Sequence, residues 1–469
     1  MLEGHTGLYT DMYELTMAQA YVRDGTAEAP AVFDYFFRKL PFGGGFVVFA
    51  GLSDLLELIE SLRFSAEDLD YLKGLGFAAD FLEYLGRFRF RGTALSVREG
   101  EVVFPLEPVV RVEGGLLETQ LVETALLNFL NFESLIATKA ARLRLAAGPR
   151  LLSEFGLRRS HGLGGIHASR AAVIGGCDTT SNVYSAWRFG LRPAGTMAHS
   201  YIESHASELE AFRKFSESRP EGCIFLVDTY DTLRSGLPNA IRAAKEMEGR
   251  GHRPYAVRLD SGDLAYLAKQ ARRMLDEAGL GYVKIMASNL LDERVIRSLL
   301  AQGAPIDLFG VGTRLATGAP DGALDGVYKL AEAGGEPRLK ISENLAKTTL
   351  PGRKAIVRCA DADGLFKADA ILLEDEPDAE RMVHPFEPGK SLRLEDFRKE
   401  RLHVKVMEGG RRLGDPEPVE RIAAYARDRL AALPEEHKRF ENPHIYKVGL
   451  SDRLAGVRDD LVRRFREEE

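Results

Sequence analysis

A chain of 469 residues with 45% hydrophobic content can bury more than one core, and its length suggests about two to four domains. The net charge is −7 with both signs interspersed, which argues against nucleic acid as the main partner while leaving small anions open. No apolar run is long enough to span a bilayer, and the start Met1-Leu-Glu-Gly-His-Thr lacks the pattern of a secretory signal. Cys177, Cys223 and Cys359 lie far apart and form no metal-ligand spacing, which favours the reducing cytoplasm.

Tyr9 to Tyr21 reads as a helix capped by Thr10 or Asp11, with Tyr13, Met17 and Ala20 at helical spacing. Ala31–Arg38 has the aromatic and β-branched content of a strand. Pro41-Phe-Gly-Gly-Gly makes a turn, and helices are expected over Leu52–Leu62 and Ser65–Gly74, the second capped by Ser65. From Gly92 to Val112 the texture is β. Leu116–Ala147 reads as one long helix, acidic at Glu118 and Glu123 and basic at Lys139, Arg142 and Arg144, as the helix dipole favours.

From Leu151 to about Leu330 strand, loop and helix alternate. Leu151–Leu152, Thr196–Ala198, Cys223–Val227, Tyr255–Leu259, Val283–Met286 and Ile306–Phe309 are the expected strands. Apolar strands alternating with helices imply a parallel sheet, open or closed into a barrel. In either case functional groups gather at the C-terminal ends of the strands. Later, Lys347–Arg358 and Phe366–Glu374 read as a β-hairpin turning at Asp361-Ala-Asp-Gly, and Glu417–Leu433 and Leu454–Arg466 as surface helices.

The expected strand ends carry polar groups in nearly every case. Glu154-Phe155-Gly with Arg158 and Arg159 follows the first. Adjacent guanidinium forks suit a carboxylate or phosphate, and Phe155 offers a flat face to a planar ligand. His199 follows Gly195-Thr196-Met-Ala, and a neutral imidazole there can act as a base or accept a phosphoryl group. Asp228, Asp231, Asp260 and Asp263 can hold ribose hydroxyls or a hydrated Mg²⁺, although Asp231 and Asp263 also fit helix capping, which leaves Asp228 and Asp260 as the ligand contacts. Arg258, Ser288 and Asn289 end further strands. Gly310-Val-Gly312-Thr313 is small enough for backbone N–H groups to approach a phosphate.

Together, Tyr9-Thr-Asp-x-Tyr, Glu154-Phe-Gly-x-Arg-Arg, Gly195-Thr-Met-Ala-His-Ser, Val227-Asp-Thr-Tyr-Asp-Thr, Arg258-x-Asp-Ser-Gly-Asp and Phe309-Gly-Val-Gly-Thr resemble the nicotinate phosphoribosyltransferase family over about Tyr9 to Arg358. The fold this resemblance implies is that of a type II phosphoribosyltransferase: an irregular α/β barrel over 136–345, an N-terminal α/β domain over 1–135, and a C-terminal β-rich and helical segment over 346–469 whose strands return to the first domain. The implied reaction joins nicotinate to 5-phosphoribosyl 1-pyrophosphate with coupled ATP hydrolysis. His199 resembles the histidine that ATP phosphorylates, Arg158 and Arg258 resemble arginines near the pyridine and the phosphoribosyl donor, and Phe155 resembles the stacking aromatic. Tyr9 resembles a tyrosine donated by a neighbouring subunit, so a homodimer is expected. Some relatives carry a cysteine-rich metal knuckle; Cys359 stands alone here, so no structural zinc is expected. Asp178 aligns loosely with an acidic residue of nicotinamide-preferring relatives. The competing readings are a nicotinamide phosphoribosyltransferase, a sugar-phosphate lyase of barrel fold, and a non-catalytic metabolite-binding protein. The lyase needs a strand-end lysine, whereas Lys284 lies inside a strand and Lys329 past the last rim loop.

Overall fold

The computed structural model describes residues 4–342, 348–387 and 389–467. The start of the segment leading from Lys340 into the C-terminal hairpin, residues 343–347, lies outside the described residues. The chain divides into two compact units, one made of Met1–Leu135, Ala323–Glu417 and Ala424–Glu469, the other of Ile136–Gly322 and Pro418–Ala423.

The first unit holds a seven-stranded antiparallel sheet and a six-stranded mixed sheet. Pro30–Phe37 is buried at every position after Pro30, because it pairs on both sides: with Val110–Gly115 and with Gly326–Ala333. Residues 326–333, assigned to the barrel segment by the sequence pattern, therefore belong to this N-terminal sheet. Phe33 stacks on Tyr328 at 4.9 Å across the pair. The expected hairpin forms, Lys354–Ala360 against Phe366–Leu373. The helix Ala66–Gly74 is capped as its sequence indicates, Ser65 accepting the Asp68 N–H while Asp68 accepts the Ser65 N–H. The N-terminal helix covers Met12–Arg23, and Ala79–Arg87 forms a helix that periodicity alone had not signalled.

The second unit is built on a six-stranded parallel sheet in the order Thr179–Thr180, Leu151–Glu154, Leu308–Val311, Lys284–Ser288, Ala256–Leu259, Ile224–Leu226. The sheet is open, a half-barrel, which decides between the two arrangements the sequence allowed. Thr196–Ala198 is not a strand; in that region only Pro193 makes a bridge, to Thr180. The sheet edge is formed instead by Thr179–Thr180, too short and too polar to stand out as an apolar run. Helices Gly164–Ile174, Leu237–Gly249, Leu264–Glu277 and Glu293–Ala301 supply the crossovers. The parallel register brings the C-terminal ends of all these strands to one edge.

One buried ionic cluster anchors a crossover helix. Glu293, the first residue of its helix, accepts from Arg142 Nε at 2.9 Å and faces Lys139 Nζ at 2.6 Å. All three side chains are almost fully buried. Burial disfavours the Glu293 carboxylate, but Lys139 and Arg142 outweigh it and hold its pKa below the ordinary value. For Lys139 burial wins, and its ammonium is held below its usual pKa. Removing Glu293 takes from two buried cations the carboxylate that both of them face, so Glu293→Ala should cost about 3–5 kcal/mol in urea unfolding. The depressed carboxylate contributes stability that is present above its unfolded pKa, ordinarily 4.5, and lost as pH falls through the folded value. That acid-side slope should shrink in the variant.

Candidate functional site

The rim residues of the half-barrel form a connected polar network centred on Arg258. This residue lies in the strand Ala256–Leu259 with its side chain largely buried. Arg258 Nε donates to Ser288 Oγ of the neighbouring strand at 3.1 Å, and Nη1 donates to Thr196 Oγ1 and to the Met197 carbonyl at 3.2 Å. Nη2 lies 3.4 Å from Asp260 Oδ1, which also accepts a short hydrogen bond from Ser288 Oγ. One guanidinium thus ties two strands to the loop before His199, a task the planar fork suits and a lysine does not.

His199 is the first residue of a short helix, His199–Glu203, rather than the end of a strand. Its Nε2 lies 3.8 Å from Asp260 Oδ2, and its Nδ1 is 3.1 Å from Thr229 Oγ1, the donor depending on the tautomer. The ring remains 39% exposed, so a substrate can reach it. Thr229 lies within the Val227-Asp-Thr-Tyr-Asp-Thr motif but was not singled out as a site residue.

Asp228 joins the same edge. Its Oδ2 accepts the Asp260 N–H at 2.8 Å and the Ser261 hydroxyl at 2.6 Å. Its Oδ1 is buried with no hydrogen-bond partner among the described residues. Asp231 and Asp263 are helix caps, each accepting two backbone N–H groups, as expected of them. Asn289 is exposed and, with Leu290, takes a positive φ at the end of Lys284–Ser288.

On the other side of the sheet centre lies the loop after Glu154. The Phe155 N–H donates to the Val311 carbonyl at 2.8 Å, and its ring lies over Gly310. A Cβ on Gly310 would stand 2.7 Å from Phe155 Cε2, and one on Gly312 would stand 3.0 Å from the Phe155 carbonyl. The two glycines therefore admit the Phe155 loop, a reason for glycine different from the backbone–phosphate approach the sequence suggested. Thr313 is exposed at the start of a four-residue helix. Arg158 and Arg159 sit on a single helical turn, Leu157–Arg159, both exposed. Neither pairs with a carboxylate among the described residues, whereas the nearby Arg314 is held by Asp292 at 2.8 Å. Two uncommitted guanidinium groups in the loop that carries an aromatic ring have the chemistry to attract a flat anion.

Tyr9 belongs to the first unit, where its hydroxyl donates to Asn128 Oδ1 at 2.7 Å and burial raises its pKa above the ordinary 10. The largest set missed by sequence reasoning is Ser169 and Thr180, which donate to the Glu154 carboxylate, and Asn182, which donates to both of their hydroxyls. Their hydroxyl and amide groups carried no motif of their own.

A parallel half-barrel with aspartates, a histidine and arginines gathered on its C-terminal edge defines an α/β enzyme that handles anionic substrates. Comparison with known proteins gives the family. The profile of the nicotinate phosphoribosyltransferase N-terminal domain matches residues 8–131, that of the nicotinate phosphoribosyltransferase family residues 151–387, and that of the C-terminal domain residues 353–458. The chain is 46% identical to the nicotinate phosphoribosyltransferase of Bacillus subtilis, covering 95% of this chain and 93% of that one. It is 37% identical to the enzyme of the same name from Dictyostelium discoideum, over 97% and 88%. The crystal structure of human nicotinic acid phosphoribosyltransferase superposes with a TM-score of 0.87 at 33% identity, over 96% of this chain and 99% of that one. The chain belongs to the nicotinate phosphoribosyltransferase family.

Because Gly310 lies directly under Phe155, Gly310→Ala should displace the ring without opening the core. Activity is expected to fall at least ~10-fold, the equivalent of about 1.4 kcal/mol, while the melting temperature changes little. A variant with full activity would show that the ring position is immaterial.

Proposed function

We propose that this protein joins nicotinate to 5-phosphoribosyl 1-pyrophosphate, giving nicotinate mononucleotide and pyrophosphate in NAD biosynthesis, and that ATP hydrolysis is coupled to the reaction through a phosphohistidine at His199. The observation that carries this reading is the hydrogen-bonded chain from Thr196 through Arg258 and Ser288 to Asp260, with His199 Nε2 facing the same carboxylate. An accessible imidazole thus shares a network with Arg258, Ser288 and Asp260, which in this reading bind the phosphoribosyl donor.

In this reading Phe155 offers its face to the pyridine ring, and Arg158 and Arg159 attract the nicotinate carboxylate. Breaking the C1–pyrophosphate bond builds positive charge on the ribose and negative charge on the leaving group. Arg258, preorganised by Ser288 and Thr196, stabilises the second without reorganising. Asp228 and Asp260 hold ribose hydroxyls or Mg²⁺. The unpartnered Asp228 Oδ1 and the all-oxygen donor set suit a hard divalent cation. Bound there, Mg²⁺ would neutralise charge on the pyrophosphate.

The coupling to ATP follows from the surroundings of His199. A phosphoryl group on the imidazole brings new negative charge within reach of the Asp260 carboxylate. The like charges repel, and the repulsion passes through Ser288 to Arg258. A homodimer, with Tyr9 donated to the partner subunit's site, is part of the reading; the exposed Met12 and Tyr13 beside Tyr9 support it. Cys177, Cys223 and Cys359 are buried and unpaired, and burial pushes the Cys223 and Cys359 thiols up to about 12. Such inert thiols suit the cytoplasm. No described helix is long and apolar enough to cross a membrane.

His199→Ala should abolish stimulation by ATP and leave slow ATP-independent transfer. Acid-labile phosphate should appear on the wild-type protein after incubation with ATP and be absent from the variant. Retained ATP stimulation in the variant would remove His199 from this role. Turnover of nicotinate should exceed that of nicotinamide; the reverse would favour the amide-using alternative, for which Asp178 was the only sequence hint. Asp178 instead accepts from Arg144 Nη2 at 2.5 Å and from the Leu152 N–H at 2.8 Å, a structural role.

A further inference from the structure

We propose that Glu154 is a positioning residue for the loop carrying Phe155, Arg158 and Arg159, and that the position requires a carboxylate that only accepts hydrogen bonds. The catalytic consequence rests on the reading above, in which that loop binds nicotinate; the consequence for loop geometry does not.

Glu154 ends the strand Leu151–Glu154 with 1% of its surface exposed. Such a group is normally kept in the interior only where its oxygens are satisfied. Oε1 accepts a short hydrogen bond from the Gly156 N–H inside the loop. Oε2 accepts from Thr180 Oγ1 at 2.6 Å and from Ser169 Oγ at 3.0 Å. The carboxylate therefore links the loop to the edge strand Thr179–Thr180 and to the helix Gly164–Ile174.

The donors around it have a fixed direction. Asn182 N–H donates to Thr180 Oγ1 at 3.0 Å, and Asn182 Nδ2 donates to Ser169 Oγ at 3.1 Å. Both hydroxyls thus accept on their far side; Thr180 turns its hydrogen toward Glu154, and Ser169 has Glu154 and the Gly165 carbonyl as its two possible acceptors. The Asn182 amide is itself held, donating to the Gly165 carbonyl at 3.1 Å and accepting the Ser185 N–H at 3.2 Å. The Ser169 hydroxyl also lies 2.9 Å from the Gly165 carbonyl, so its one hydrogen is shared; Thr180 offers its hydrogen to Glu154. A glutamine here keeps one acceptor oxygen, so its N–H₂ group must face either the Gly156 N–H, which can only donate, or the Thr180 hydroxyl, whose hydrogen already points inward. The mismatch falls on the side chain that holds Gly156.

Gly156 has little room to find another place. A Cβ there would meet Ala316 Cβ at 2.2 Å and the Gly312 carbonyl at 3.1 Å. The loop backbone is therefore pinned between Glu154 and the segment that carries Gly312 and Ala316. Arg158 and Arg159 have no side-chain anchor among the described residues, so their placement depends on this backbone.

The test compares wild type with Glu154→Gln and Glu154→Asp in steady-state assays with nicotinate and 5-phosphoribosyl 1-pyrophosphate varied separately. Glu154→Gln should raise KM for nicotinate at least ~10-fold, and KM for the phosphoribosyl donor less than about 2-fold. Glu154→Asp keeps the acceptor-only character and should recover part of the loss; a purely structural role would move both KM values together and give no such recovery. Amide hydrogen exchange over 155–160 should accelerate in Glu154→Gln and not in segments around Asp228 and Asp260. If Glu154→Gln does not fold, Thr180→Val, which removes one donor to Oε2, should show the same pattern more weakly. Equal KM changes, or unaltered exchange in the loop, would overturn the proposal. Should the wild type form no nicotinate mononucleotide, the functional reading fails, and the exchange data still decide the role of Glu154 in the loop.

Discussion

The Arg258 guanidinium is the tie on which the arrangement of the site depends. It spans from its own strand to Ser288 on the next and to Thr196 and Met197 in the loop that delivers His199. Parallel strands bring their C-terminal ends to one edge, but they do not by themselves orient the side chains there. Arg258 does this for Asp260, both directly and through Ser288. Among the described residues the loop before His199 has no ladder partner beyond the Pro193 bridge, so this side-chain tie stands in for backbone pairing.

Two halves of the edge are built on different physical footings. Around Asp228, Asp260 and His199, charged groups hold one another through hydrogen bonds from Arg258, Ser261 and the Asp260 N–H. Around Phe155, packing decides: glycines at 310 and 312 make room, and a buried carboxylate fastens the loop. The first half suits a ligand whose charge changes during reaction, and the second a planar ligand that must be presented in one orientation.

Much of this was legible in the sequence. Strands buried on both faces, such as Ala256–Leu259, are apolar runs that alternate with capped helices, so the parallel unit and the residues at its strand ends stand out. Asp231 and Asp263 were recognisable as caps because a carboxylate just before a helix has that ready use. The sequence misled at Thr196–Ala198, whose apolar and β-branched residues imitate a strand while its structure comes from Arg258, which is 62 positions away from Thr196. It was silent on Thr179–Thr180, whose two residues carry no period. Nor could it show that Gly310 serves Phe155, since that contact joins strands far apart in the chain. Local periodicity reports which elements form; hydrogen bonds between distant loops are set only once the sheet order is known.

Transfer of a phosphoribosyl group to nicotinate by the groups on this one edge can be followed directly. Phosphorus NMR of the protein with nicotinate, 5-phosphoribosyl 1-pyrophosphate, ATP and Mg²⁺ tests it most directly. The donor's resonances should give way to those of nicotinate mononucleotide and pyrophosphate in equal amounts, with ADP and phosphate appearing alongside. A donor that persists unchanged, or that yields pyrophosphate without the mononucleotide, would contradict it.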